Sequence, residues 1–170
     1  MEELVKRAKA GDNDAFAQLI DKNRLTMYKA AKVFLSNEED VADVISETIL
    51  NAYEKLSQLR EDKYFSTWLV RILINQCNAF IRQKGRMIIT EQEVLAMQPA
   101  KLHDNEDDFY EILEGIEEKY KIVLILYYGE EFSVKEIGRI LGISTNTVKT
   151  RLRRGREIVK KNLERNVVYE

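Results

Sequence analysis

The clearest structural pattern in this chain is the segment SVKEIGRILGISTNTVKTRLRRGR, residues 133–156. Its apolar residues recur at helical spacing in two runs separated by a short turn, which predicts two helices joined by that turn. Gly142 lies where the first helix must end in a left-handed conformation, and Ser144 is placed to cap the second helix. Ser133 and Glu136 have the spacing of a capping box at the start of the first helix. The segment therefore predicts a helix-turn-helix.

The second predicted helix is strongly basic. Five of the twelve residues from Thr145 to Arg156 are Lys or Arg and none is acidic, although the whole chain has a formal net charge of −2. A solvated basic face would explain the charge alone, but with the turn and caps it indicates a helix that enters the major groove of DNA. The residues expected nearest the bases are Thr145, Asn146, Lys149, Thr150 and Arg153, and those expected nearer phosphates or the domain surface are Arg151, Arg154 and Arg156. The residues expected to be buried are Val148, Leu152, Gly155, Val159 and Leu163.

Composition excludes most other classes of protein. The longest apolar run, residues 122–128, is far too short to span a bilayer, and the first residues lack a signal peptide, so we expect a cytoplasmic protein without direct membrane insertion. Cys77 is the only cysteine, which leaves no intramolecular disulfide and no cysteine-cluster zinc site. The only histidine, His103, lies in a polar stretch without a nucleophile signature. We expect no catalytic residue, no metal and no cofactor.

Charge is arranged in blocks along the chain. Residues 91–118 hold ten acids against one lysine, whereas residues 133–165 hold ten bases against three acids. The region around the only proline loses helical periodicity, which is typical of a linker. We therefore expect an all-α fold of two small helical domains, residues 1–88 and 108–170, joined by an acidic flexible linker at residues 89–107. Four helices are expected beyond the linker.

The first half of the chain carries one acidic and one basic helix pattern. SNEEDVADVISETILNAYEKL, residues 36–56, has Ser36 and Glu39 at capping-box spacing, and its five charges up to Tyr53 are all acidic. Its predicted apolar stripe is Val41, Val44, Ile45, Thr48, Ile49, Tyr53 and Leu56. FSTWLVRILINQCNAFIRQKGR makes another helix, and the four charges of residues 65–90 are all basic. Such alternation suggests separate surfaces for separate partners.

At these residues the chain resembles the extracytoplasmic function sigma factors, the compact promoter-recognition subunits of bacterial RNA polymerase. EIGRILGISTNTVKTRLRRGREIV resembles their fourth conserved region. AGDNDAFAQLI and EEDVADVISETILNAYEKL resemble the start of their second region, and FSTWLVRILINQC resembles its promoter-melting part. The resemblance implies an alternative sigma factor that binds core RNA polymerase, directs it to promoters through the upstream (−35) and downstream (−10) elements, and helps to melt promoter DNA.

The resemblance also implies the protein partners. The acidic helix is similar to the segment that grips the clamp helices of the largest polymerase subunit, although a solvated acidic face is the alternative interpretation of its charges. Its candidate contacts are Asp40, Asp43, Ser46, Glu47 and Asn51, with apolar backing from Val44 and Leu50. The other implied partners are the flap of the second-largest subunit, promoter DNA and a cognate anti-sigma factor anchored in the membrane.

Holding unpaired bases needs aromatic faces for stacking and a basic track for phosphates. Tyr64 and Phe65 stand at a predicted loop-to-helix junction within reach of a flipped base, whereas Trp68 has the spacing of a core residue. The candidates for the −10 element are Tyr64, Phe65, Trp68, Asn75, Asn78, Arg82, Lys84 and Arg86. The family often has a polar residue where this chain has Ala79, which leaves open whether Asn78 takes its place.

Two other functions fit parts of the pattern. A free-standing helix-turn-helix transcription regulator would bind duplex DNA alone and would need a dimerisation stripe, for which no additional helix is evident. A helical adaptor that does not bind DNA would show no salt-dependent DNA binding. A shift assay with and without core polymerase separates a regulator from a sigma factor.

Overall fold

The computed structural model describes residues 1–88 and 112–167, and these ranges form helices and turns without a β-strand. Of residues 86–88 and 165–167 only the helical backbone is described, so the side chain of Arg86 lies outside the described part. The chain divides into two compact units, Met1–Pro99 and Ala100–Glu170. The all-α fold of two helical units is confirmed. The bounds of the predicted linker fall on residues outside the described ones and stay a prediction.

The first unit is built around its second helix. Its helices are α1 (Glu2–Lys9), α2 (Asn13–Lys32), α3 (Glu38–Lys55) and α4 (Phe65–Ile88). Two short 3-10 turns, Leu56–Gln58 and Asp62–Tyr64, lie between α3 and α4. Because α2 contacts each of the other three helices, its apolar residues lie at the centre of the core.

Side chains from α2 and α4 form much of that core. Leu19 and Met27 of α2 are completely buried, as are Leu69 and Leu73 of α4. Each such side chain stabilises the fold by about 1.5–3 kcal/mol relative to an exposed one. Cys77 is buried as well, and burial raises the pKa of its thiol from 9.0 to about 12, so it acts as a small hydrophobic residue.

Helix α3 begins at Glu38, whereas a cap at Ser36 would require it to begin at Asn37. Asn37 is the N-cap, and its Oδ1 accepts hydrogen bonds from the backbone N–H of Glu39 at 2.7 Å and of Asp40 at 3.2 Å. The capping box predicted for Ser36 is therefore wrong. Its neighbour Asn37 is an equally good cap and has the extended backbone of an N-cap residue.

Tyr53, predicted to lie in the apolar stripe of α3, is exposed. Its hydroxyl donates to Asn13 Oδ1 at 2.9 Å, and its ring centroid lies 5.1 Å from that of Phe16. The tyrosine therefore covers the edge of the core while its polar end stays in solvent, as amphipathic side chains commonly do.

The second unit contains three helices within the described residues. They are α5 (Glu118–Leu124), which continues as a π-helical turn over Ile125–Gly129, α6 (Val134–Leu141) and α7 (Thr145–Val167). The first of the four helices predicted beyond the linker falls almost entirely on residues outside the described part. Helix α7 packs closely on α5 at Gly155, where a Cβ atom would lie only 3.0 Å from Leu124 Cδ1.

The buried face of α7 is shorter than the sequence pattern predicts. Val148, Leu152 and Gly155 are buried and Val159 is half-buried, but Leu163 is exposed. The prediction for Leu163 is wrong because a helical apolar pattern does not show where the covering surface ends.

Candidate nucleic-acid and polymerase interfaces

The helix-turn-helix is held by three predicted local features. Ser133 Oγ accepts from the Glu136 N–H at 3.3 Å, while Glu136 Oε2 accepts from the Ser133 N–H at 3.0 Å, which completes the capping box. Gly142 ends α6 in the left-handed region with a φ of 66°. Ser144 Oγ accepts from the Thr147 N–H at 3.1 Å and caps α7. These contacts fix where α7 begins and therefore which of its side chains face outward.

Gly138 has a structural role that the sequence analysis did not assign. A Cβ atom at this position would lie 2.9 Å from the carbonyl oxygen of Ile143, in the turn before α7. The Ile143 N–H also donates to the Gly138 carbonyl at 3.0 Å, so the turn folds tightly back onto α6. The sequence signal for this role is a glycine inside a short predicted helix, because glycine there costs about 1 kcal/mol of helix stability relative to alanine.

The outer face of α7 presents the predicted base-reading residues. Asn146, Lys149, Thr150 and Arg153 occur at i, i+3, i+4 and i+7, and all four are exposed, as is Thr145 at the start of the helix. The Arg153 guanidinium donates to Glu157 Oε1 at 3.0 Å, and both side chains are largely exposed. An exposed pair at this helical spacing contributes only about 0.3–0.5 kcal/mol, so a guanine edge or a phosphate can replace the glutamate.

Three further arginines of α7 have different surroundings. Arg156 donates to the Tyr128 hydroxyl at 3.3 Å and is therefore directed toward the π-helical turn. Arg151 is half-buried and Arg154 is exposed, and both border an open groove of about 390 Å³ between α5 and α7. The remaining lining residues of this groove are Lys119, Tyr120, Asn146, Thr147 and Thr150.

Lys119 is a further basic residue beside the predicted recognition helix. It lies on α5 and pairs with Glu117 at 2.5 Å, and the hydrogen bond to Glu117 raises the pKa of the lysine. Together with Arg151 and Arg154 it places three cations around one groove, an arrangement that attracts a phosphate group. Sequence reasoning missed Lys119 because the lysine belongs to another helix, which only the fold brings beside α7.

A polar row runs along the exposed face of α4. Asn75, Asn78 and Arg82 are exposed and share this face, whereas Ala79 is half-buried. Arg71 is exposed four residues before Asn75 and extends the same row, although it was not among the predicted site residues. The row therefore brings two amides and two guanidinium groups together, and Asn78 is the exposed polar residue next to Ala79.

The aromatic residues at the start of α4 differ in exposure. Phe65 is completely buried, so the prediction that its ring is within reach of a flipped base is wrong. Trp68 and Tyr64 are half-buried, and the Trp68 ring centroid lies 5.9 Å from that of Phe65. Lys63 Nζ lies 4.9 Å from the centroid of the Tyr64 ring. Phe65 anchors the start of α4 in the core, while Tyr64 and Trp68 present the aromatic surface.

Two residues predicted to contact different partners bind each other. Lys84 Nζ donates to Asp40 Oδ2 at 2.6 Å, with exposed side-chain fractions of 42% and 18% respectively. Lys84 Nζ also lies 5.6 Å from the Phe80 ring centroid. In this conformation Asp40 is not free for polymerase and Lys84 is not free for a phosphate. Sequence spacing could not reveal the pair, because the two residues lie on different helices.

Most of the acidic face on α3 faces solvent. Asp43, Ser46 and Glu47 are exposed, and Asn51 is half-buried with its amide donating to Glu47 Oε1 at 3.1 Å. Leu50 has 60% of its surface exposed, so it lies on the outer face itself and not behind it as backing. An exposed leucine between polar side chains is typical of an interface with an apolar centre and a charged rim.

Neither a metal cluster nor a membrane-spanning helix occurs in the part of the chain that the structure describes. Its residues form no group of three or more His, Cys, Asp or Glu side chains that could hold a metal ion. None of its helices combines the length and the apolar character needed to cross a membrane. The candidate binding surfaces of this part are the basic helix α7, the polar row of α4 and the acidic face of α3.

Comparisons with known proteins match each half of the chain to a known domain. The family model for Sigma-70 region 2 matches residues 19–87, and the model for Sigma-70, region 4 matches residues 106–159. The ECF RNA polymerase sigma factor SigW of Bacillus subtilis (strain 168) is 32% identical over 176 aligned residues, which cover 94% of both chains.

Solved structures show the same fold. The structure of CnrH in complex with the cytosolic domain of CnrY has a TM-score of 0.71 at 24% identity, and the match covers 96% of both chains. The sigma factor RpoE, solved in complex with the anti-sigma factor NepR from Bartonella quintana, has the same TM-score at 23% identity. That match covers 88% of this chain and 96% of the RpoE chain.

A region 2 domain followed by a region 4 domain defines an RNA polymerase sigma factor. The chain belongs to the extracytoplasmic function (ECF) family of these factors. It is an alternative sigma factor that binds core RNA polymerase and directs it to promoter DNA. At the level of this family it is a regulatory protein and not an enzyme.

Proposed function

We propose that the two units recognise the two promoter elements separately. The domain at residues 1–88 binds core polymerase and the −10 element, and the domain at residues 108–170 binds the −35 element as duplex DNA. The main support for this division is the exposed row of Asn146, Lys149, Thr150 and Arg153 on a helix whose start is fixed by caps. A helix presented in this way can place several side chains against base edges at once.

Within the −35 site, base reading and phosphate binding belong to different residues of α7. Thr145, Asn146, Lys149, Thr150 and Arg153 lie nearest the bases. Arg151, Arg154 and Arg156 lie nearer phosphates or the domain surface, and the groove beside Lys119 supports the phosphate role of Arg151 and Arg154. Each neutralised phosphate adds about 0.9 to the slope of log K against log salt, so the basic side chains give most of the salt dependence.

Within the −10 site, the exposed row of α4 holds the single strand. The amides of Asn75 and Asn78 can pair with base edges, and the guanidinium groups of Arg71 and Arg82 can hold phosphates. Aromatic stacking contributes about 1–3 kcal/mol per base, and the rings for it come from Tyr64 and Trp68. Lys84 joins this site only if its ion pair with Asp40 opens.

The acidic face of α3 is proposed to bind the clamp helices of the largest polymerase subunit. Asp43, Ser46, Glu47 and Asn51 supply the polar contacts, and exposed Leu50 supplies the apolar centre. The flap of the second-largest subunit is proposed as a second contact, made by the second domain. Binding at two subunits would keep both DNA-binding domains on one polymerase.

A cognate anti-sigma factor is a further proposed partner. Two proteins of similar fold were solved as complexes, CnrH with the cytosolic domain of CnrY and RpoE with the anti-sigma factor NepR. We propose that this chain acts in the cytoplasm and is held there by an anti-sigma factor anchored in the membrane.

Transcription with purified core polymerase tests the proposal. Core enzyme with this chain should start RNA at discrete sites on genomic DNA, and mapping those sites should reveal two shared sequence elements upstream. The chain without core enzyme should bind the same fragments weakly in a shift assay. Tight duplex binding by the chain alone, without any stimulated transcription, would instead indicate a free-standing regulator.

A further inference from the structure

The loop between α3 and α4, residues 56–64, is tied to the first helix of the chain. Lys9, the last residue of α1, donates from Nζ to the Leu59 carbonyl at 2.6 Å and to Asp62 Oδ1 at 2.5 Å. These partners lie 50 and 53 residues further along the chain, so the contact exists only in the folded unit. Lys9 also precedes residues 19–87, which match region 2.

The contact is more protected than another ion pair of the same loop. The side chains of Lys9 and Asp62 have exposed fractions of 24% and 17%, against 55% and 57% for the pair of Lys63 with Glu61. Partly buried charges are screened less by salt than exposed ones. Hydrogen bonds between ionised groups are also stronger than neutral ones. Removing the lysine would leave the Asp62 carboxylate partly buried without this cation.

Buried residues lie on both sides of the exposed part of the loop. Leu59 and Phe65 lie in the core, while Arg60 and Lys63 between them are exposed. Half-buried Tyr64 ends the loop directly before α4. Because Lys9 contacts both the backbone at Leu59 and the side chain of Asp62, it fixes the segment that leads to Tyr64.

We propose that Lys9 is a positioning residue for base capture at the −10 element. This inference rests on the proposed single-strand site at the start of α4. By holding the loop before DNA arrives, Lys9 removes an ordering step from promoter opening, because a segment that is already in its bound shape loses less conformational entropy on binding. Lys9 itself contacts protein groups and acts on DNA only through the loop.

The experiment compares full-length variants in complex with core polymerase, on a promoter that the unaltered protein opens. Lys9→Met removes the donor and keeps most of the side-chain length, Lys9→Arg keeps a donor, and Lys6→Met changes an exposed lysine of the same helix. The readouts are closed-complex affinity on duplex DNA, the rate at which bubble thymines become reactive to permanganate, and the thermal unfolding midpoint.

Lys9→Met loses two charge-assisted hydrogen bonds, and we expect this variant to open the promoter about tenfold more slowly than the unaltered protein. Closed-complex affinity and binding to core polymerase should stay within about twofold of the unaltered protein. Neither the proposed −35 site nor the proposed polymerase-binding face includes residues of the loop. Lys9→Arg should recover most of the opening rate, and Lys6→Met should leave it unchanged. Asp62→Asn should also slow opening, and combining it with Lys9→Met should add little to the effect of Lys9→Met alone.

Opening by Lys9→Met at the rate of the unaltered protein would overturn the inference. An equal loss of opening, core binding and thermal stability would overturn it too, since that result indicates a purely structural contact. Failure of the proposed −10 site has a different signature, because Asn75→Ala and Tyr64→Ala would then open the promoter at the normal rate. In that case the inference would fall together with the site on which it rests.

Discussion

Lys149 and Arg154 lie on the same helix but have different neighbours. Lys149 is exposed on the outer face of α7, three residues after Asn146. Arg154 borders the groove that also contains Lys119. A residue that faces bases and a residue that faces phosphates should respond differently to a change in DNA sequence.

Replacing these two residues by alanine should separate specificity from affinity. Lys149→Ala should cost about 1–3 kcal/mol on the −35 duplex and much less on a scrambled duplex, if its ammonium pairs with a base. Arg154→Ala should weaken both duplexes alike and lower the salt slope by about one. Fluorescence anisotropy of holoenzyme on both duplexes, over a range of salt, measures both effects. If Lys149→Ala loses the same binding free energy on both duplexes, this face of α7 does not read the DNA sequence.

Asn75 stands in the middle of the exposed row on α4, where an amide can reach an unpaired base. Asn75→Ala should leave closed-complex binding intact and suppress permanganate reactivity in the bubble, because unstacking a base costs a few kcal/mol that such contacts must offset. A template with a pre-melted bubble should restore transcription. Gln18→Ala, which removes an exposed amide from α2, is the matched control.

Phe65 is not suitable for the same test. Its side chain is completely buried, so Phe65→Ala should cost about 3–5 kcal/mol of folding free energy and would disturb the fold together with the site. Tyr64→Ala combined with Asn75→Ala is the informative double variant. If that variant forms the bubble normally, the single-strand site lies elsewhere on the first unit.

Among the helices, α3 combines a proposed polymerase-binding face with an internal ion pair. Reversing Asp43 and Glu47 to lysine should abolish co-purification with core polymerase, because two attractive charges become repulsive. Asp40 is left unchanged so that its pair with Lys84 is kept. The helical circular dichroism spectrum should be preserved.

Reversal of Glu3 and Asp21, exposed acids on α1 and α2, controls for the change in net charge. This control variant should bind core polymerase normally. If the variant with reversed Asp43 and Glu47 still binds core polymerase, the acidic face of α3 is a solvated surface and not the polymerase contact.

The start of α7 depends on one hydroxyl and one glycine. Ser144→Ala should reduce the stability of the second unit by about 1 kcal/mol, since the Thr147 N–H loses its cap. Gly138→Ala should also destabilise it, because the added Cβ would meet the Ile143 carbonyl oxygen at 2.9 Å. Urea unfolding measures both changes. Thr150→Ala, in the exposed part of α7, should have little effect, and a similar loss there would argue against a specific role of the cap.

The division of the chain into two units predicts separable functions. Fragments 1–99 and 100–170 should each unfold cooperatively, since each unit has its own buried core. The first fragment should bind core polymerase but not the −35 duplex, and the second should bind the duplex weakly. Calorimetry and anisotropy on each fragment test this expectation. A fragment that remains unfolded by itself would show that the units depend on each other for stability.

Local sequence pattern was sufficient for the features that depend on neighbouring residues. The caps at Ser133 and Ser144, the left-handed turn at Gly142 and the helix-turn-helix follow from contacts within about four residues, and each is present where the pattern places it. The cap at Ser36 failed because Asn37, directly beside it, has the same chemistry. The order of the motifs was also enough to identify the family, because several specific stretches occur in the same succession.

Burial and pairing between helices required the folded chain. The predicted loop-to-helix junction gave Phe65 the wrong exposure. Spacing alone did the same for Tyr53 and Leu163, because the pattern shows which residues share a face but not how far the neighbouring surface extends. The same limit hid the pair of Asp40 with Lys84 and the contact of Lys9 with the loop before α4. Each of these contacts joins residues at least 44 positions apart, and their distance in space is set by helix packing, which no local pattern encodes.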